Sequence, residues 1–189
     1  MGNSGIRDED AAAPRRSSRI EALTHPNAPL NPRAVWLCGL LVLSLAAGLG
    51  WYLWPLKPGA LALQLAWTPR AFGEIVHFWS ETDLARYRSH LPVDGILLLA
   101  YGCFGWLLAT RTTLFHGLGR TSRRLATWML PLAAAFDALE NLLHGWLTEV
   151  PRFGLPLVYA MSAASAWLKW LLIIGFLLIC AWAAARDAD

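Results

Sequence analysis

From Ala34 to Leu56 the chain carries no Asp, Glu, Lys, Arg or His, and this apolar run constrains the fold more than any other feature. A helix needs roughly 20 such residues to cross the hydrocarbon of a bilayer. In that solvent every backbone N–H and C=O must bond internally, so the run reads as a helix. The whole chain is 56% hydrophobic and only 15% charged, too apolar for a soluble domain of this length and in keeping with a multi-pass membrane protein.

Apolar segments place spans at about residues 34–56, 92–110, 125–148 and 156–183. The expected architecture is all-α: a membrane bundle of four transmembrane helices over residues 34–185, with an amphipathic surface helix in an outer loop, 57–91. Residues 1–33 mix Asp8, Glu9 and Asp10 with an Arg and Ser cluster and with Pro14, Pro26, Pro29 and Pro32, the composition of a disordered cytoplasmic tail. The first span follows this long polar segment, which fits a retained helix better than a cleaved signal.

Arginines set the orientation. Arg7, Arg15, Arg16, Arg19 and Arg33 precede the first span, Arg111, Arg120, Arg123 and Arg124 lie between the second and third, and Arg186 follows the fourth, against Lys57, Arg70, Arg86, Arg88 and Arg152 on the opposite side. The expectation is an integral protein of the inner membrane with both termini cytoplasmic. Trp36, Trp51, Trp54, Trp128, Trp146 and Trp182 fall near span ends, where indole rings settle, whereas Trp106, Trp167 and Trp170 read as packing. A net charge of +3 resides mostly in the cytoplasmic flanks, so membrane lipids rather than nucleic acid are the expected partners. Cys38, Cys103 and Cys180 lie singly in different spans, a pattern of free thiols.

Within 57–91, Leu61, Leu63 and Leu65 alternate with Ala62, Gln64 and Ala66, a short strand-like signal. Thr68-Pro69 offers an N-cap and a first-turn proline, followed by Phe72, Ile75, Val76 and Trp79 at helical spacing. Ser80-Glu81-Thr82-Asp83 resembles a capping box opening a short helix through about Arg88, and Pro92 is placed to open the second span.

The functional signal is polar. Asp137, Glu140, Asn141 and His144 stand at i, i+3, i+4 and i+7, which is one face of a helix inside an apolar segment. Ionisable residues at such depth are costly and demand a partner. Lys169, near the middle of the fourth span, is that partner, with Ser162 and Ser165 on its face. Asp94 and Tyr101 share a face of the second span. The expected site is therefore Asp137, Glu140, His144 and Lys169 as acid/base residues, with Asp94, Tyr101, Asn141 and Ser165 binding a ligand and His77 and Trp79 capping it. One Lys against two acids leaves a carboxyl suited to carrying a proton.

Three roles fit this stripe: binding and acid/base transformation of an amphipathic, lipid-like molecule; a structural ion pair fixing helix packing; and a proton-linked carrier. Whether the chain is an enzyme, and its oligomeric state, stay open. No cofactor is expected. Metal binding is weaker, because Lys169 opposes a cation and Glu140 and His144 are four apart rather than three. No Gly-x-Ser-x-Gly elbow accompanies Ser162 or Ser165.

Leu91-Pro92-Val93-Asp94 leading to Tyr101, with Pro131 through Asp137-Ala138-Leu139-Glu140-Asn141, resembles a group of uncharacterised bacterial four-span membrane proteins. The resemblance implies a compact single domain in a bacterial inner membrane and brings no activity with it.

Overall fold

The computed structural model describes residues 32–150 and 152–186. The tail expected over 1–33 lies outside the described residues except for its last two, which open the first helix. Six helices account for the fold among the described residues: α1 Pro32–Leu53, α2 Ala60–Gln64, α3 Pro69–Phe78, α4 Glu81–Arg111, α5 Arg120–Leu147 and α6 Pro156–Arg186.

Three of these, α1, α4 and α6, are long and apolar enough to cross a membrane, and the chain is a membrane protein. Their outer faces present Leu40, Leu43, Ile96, Leu99, Leu171 and Leu178 uncovered, an arrangement lipid tolerates and water does not. The expectation of four transmembrane helices plus one amphipathic loop helix is corrected here. The segment expected to span over 125–148 is helical within α5, but the polar stripe from Asp137 to His144 and the basic start of the helix keep it from the apolarity of the other three.

The loop differs as well. The alternating leucines form the short helix α2, in which Leu63 is buried while Leu61 is half-exposed, so the alternation does not correspond to a sheet face. Thr68 caps α3, accepting the Ala71 N–H at 3.1 Å, with Pro69 in the first turn. The apolar face of α3 packs on protein: Phe72 is buried with Leu147 and Tyr159. Ser80 caps α4 through the Asp83 N–H, and α4 then runs without a break to Arg111. Pro92 thus lies inside the helix rather than at its start, as Pro131 does in α5.

Contacts fix the packing directions. Cys38 meets Ala100 while Tyr52 bonds Ser89 at 2.8 Å, so α1 and α4 are antiparallel. On the other side of α4, Gly105 faces Leu130 and Gly102 faces Ala134, and α5 runs antiparallel along it. A Cβ on Gly105 would stand 2.5 Å from the Leu130 Cβ, so only glycine permits this approach. Helix α6 covers the far side of α5, with Met129 against Gly175. Arg33, Arg111, Arg120, Arg123, Arg124 and Arg186 therefore gather at one end of the bundle. At that end and through the middle the core is apolar, built from Phe115, Ala126, Leu130, Ala133 and Phe176. A second apolar core, with Leu56, Leu63, Phe72 and Tyr159, lies at the opposite end under α2 and α3.

Candidate functional site: a polar layer between two apolar cores

The polar residues of α4, α5 and α6 meet between these cores. Antiparallel packing brings the C-terminal half of α5 beside the N-terminal half of α4 and beside the first half of α6. At the deep edge, the Tyr101 hydroxyl donates to Asp137 Oδ2 at 3.0 Å, and the Lys169 ammonium donates to Asp137 Oδ1 at 2.9 Å. Lys169 Nζ also lies 2.7 Å from Glu140 Oε2. One ammonium thus bridges two carboxylates contributed by successive turns of α5. Asp137, Glu140, His144 and Lys169 are each 5% exposed or less, so the ions face one another instead of water.

Toward the α3 end, Tyr87 Oη and His144 Nδ1 are 2.5 Å apart. Tyr87 is held by packing between Trp79 and His90, and His90 Nδ1–H donates to the Tyr87 backbone carbonyl. Where the phenol donates, His144 carries its ring proton on Nε2; where Nδ1–H donates, Nε2 is a bare acceptor. In both cases Nε2 is buried without a partner. Glu140 Oε1, 3.8 Å from His144 Nδ1, is beyond hydrogen-bond reach and also lacks a partner, as does Ser162 Oγ. Helix register sets Ser162 level with His144.

Seven of the residues expected at the site come together: Asp94, Tyr101, Asp137, Glu140, Asn141, His144 and Lys169. Asn141 donates to Asp94 Oδ2 at 2.6 Å on the half-buried flank of the layer. Ser165 is buried on the same side of α6, but its hydroxyl proton is committed to the Met161 carbonyl of its own helix. His77 is exposed on α3, and Trp79 is buried with its indole N–H donating to the Pro58 carbonyl. Lys169 is fully engaged by the two acids and is not free to hold an anionic group. It also occupies the place from which a metal would reach both carboxylates, and no group of three metal-binding side chains occurs among the described residues.

Tyr87 and His90 also belong to the layer, although the polar stripe of α5 gives no hint of them. A helix beginning at Pro92 would exclude both, whereas in the continuous α4 Tyr87, Asp94 and Tyr101 recur every seven residues and so share a face.

A cavity of about 420 Å³ lies beyond the layer, between α3, the end of α5 and the start of α6. Phe72 lines it and packs against the His144 ring with centroids 5.4 Å apart. Thr148, also on its wall, donates to the His144 carbonyl at 2.6 Å.

No protein-family model matches the chain, and neither a curated protein nor a solved structure does.

Proposed function

We propose that this membrane protein binds a lipid-like, amphipathic small molecule at the Asp137–Glu140–His144 layer and acts on it by acid/base chemistry. The observation that carries this reading is a group of three buried polar atoms without hydrogen-bond partners, Glu140 Oε1, His144 Nε2 and Ser162 Oγ; Glu140 Oε2, which faces the Lys169 ammonium, and Arg152 Nε, outside the layer, are the other such atoms among the described residues. Polar glue between helices closes its hydrogen bonds, and each unsatisfied buried group costs about 1–3 kcal/mol. Three along the α5–α6 interface amount to a surplus of bonding capacity that a ligand would use.

In this reading Lys169 holds Asp137 and Glu140 in place, and Glu140, through its unpartnered oxygen, exchanges a proton with the ligand. His144 orients the group, with its own tautomer tied to Tyr87. Tyr101 and the Asn141–Asp94 pair keep the flanks rigid. The Arg-rich end lies in the cytoplasm, which puts the layer and the α3 cavity in the outer half. A carrier is less well supported, because beyond Asp137 the core toward the arginines is apolar.

The architectural reading has an observation of its own, the near-complete closure of the Asp137–Lys169–Glu140 ions. The test is to extract amphiphiles from purified wild type and from Glu140→Gln and compare them by mass spectrometry. A species enriched only with wild type supports the site; identical extracts favour architecture alone.

A further inference from the structure

The α3 cavity and the polar layer share a wall. Phe72 belongs to both: its ring lines the cavity and packs at a tilt against His144 and edge-on against Tyr159, with centroids 5.4 and 5.2 Å away. The remaining walls are mostly apolar, with Val76, Leu147 and Phe153; His77 and Trp79 also line the space, and no Asp, Glu, Lys or Arg does. At about 420 Å³ it is of the size that receives small ligands.

The layer behind Phe72 has its own requirements. Its two carboxylates share one ammonium, so a carboxylate or phosphate brought there meets like charge. A ligand ammonium would compete with Lys169, which already stands 2.7 Å from Glu140 Oε2. A hydroxyl fits the groups left over, since it donates to Glu140 Oε1 and accepts from Ser162 or from a protonated His144 Nε2.

We propose, resting on the functional reading above, that the cavity holds the hydrocarbon part of a neutral amphiphile whose hydroxyl headgroup enters the layer, with the Phe72 ring as the movable partition between the two.

The probes are dodecanol, dodecanoic acid and dodecylamine, each with a terminal diazirine, applied to the full chain in lipid nanodiscs, with crosslinked residues mapped by mass spectrometry. The expected result is labelling at Val76, Phe153 or Tyr159 by the alcohol, exceeding the acid and amine by roughly tenfold, the ratio equivalent to 1.4 kcal/mol. Val76→Trp fills the space without touching the layer and abolishes this labelling. Gly73→Leu, which drives a side chain toward the Phe153 ring 3.3 Å from a Cβ there, does the same should the tryptophan variant misfold. Excess unlabelled dodecanol removes the signal in wild type.

Labelling confined to the lipid-facing sides of α1, α4 and α6 overturns the cavity assignment. Equal labelling by alcohol and acid that falls for both in Glu140→Gln overturns the hydroxyl class and leaves the functional reading standing. Equal labelling by all three probes, unchanged in Glu140→Gln, removes both.

Discussion

A single ammonium shared by two buried carboxylates makes the partners unequal. Lys169→Met strands Asp137 and Glu140 together, and a stability loss of about 3–5 kcal/mol is expected when one side of such a pair is removed. Glu140→Gln keeps Lys169 paired with Asp137 and takes a charge from a site where one carboxylate oxygen has no partner. Its expected cost is below about 1 kcal/mol, and an activity-bearing residue often shows such a tolerant response. Thermal unfolding in detergent compares the two, and equal losses would mean that Glu140 is as structural as Lys169. Tyr87→Phe leaves His144 Nδ1 without a partner, at an expected 1–3 kcal/mol or so. Combining it with His144→Leu costs less than the sum of the single changes, because both remove the same bond. The α5 stripe was legible because four polar residues at helical spacing fall on one face as soon as the segment is a helix, whatever surrounds it. The unpartnered state of Glu140 Oε1 and Ser162 Oγ was not legible, since it depends on a register between α5 and α6 that neither helix encodes alone.

At the scale of elements, close packing explains where local rules were overridden. Helix α4 accommodates Pro92 and continues, because burial of Tyr87 and His90 on one side and Leu98 and Tyr101 on the other holds both halves in line. Composition in the 57–91 segment could locate the Thr68 and Ser80 caps, which are local hydrogen bonds. It could not separate strand from helix at Leu61–Leu65, where the deciding factor is the burial of Leu63 in a core shared with the distant Leu147 and Tyr159. Thr68→Ala removes the α3 cap at a cost of about 0.5–2 kcal/mol, and amide hydrogen exchange should quicken in α3 before α5. Gly105→Ala places its Cβ against the Leu130 Cβ and forces α4 and α5 apart, with a loss of about 1–3 kcal/mol. Leu130→Ala does not rescue it, because the offending Cβ remains; recovery of the melting temperature in that double variant would refute backbone crowding as the cause.

Across the whole molecule, six of the ten arginines among the described residues and the polar layer occupy opposite halves. With Cys38, Cys103 and Cys180 replaced, cysteines at Lys57 and His116, exposed in the α1–α2 and α4–α5 connections, should react with a membrane-impermeant maleimide from opposite sides of the membrane, Lys57→Cys from outside. Labelling of both from one side would overturn the orientation. Membrane residence itself was readable from apolar length, whereas the number of spans was not: α5 owes its placement to partners on both sides, and hydropathy takes no account of partners. The apolar core beneath Asp137 has a further consequence. A site that exchanges with only one aqueous phase works as a well and not as a passage, so filling and emptying it delivers no proton to the other side. Under the proposed function its occupancy would follow the pH on the α3 side of the bundle and draw nothing from a proton gradient.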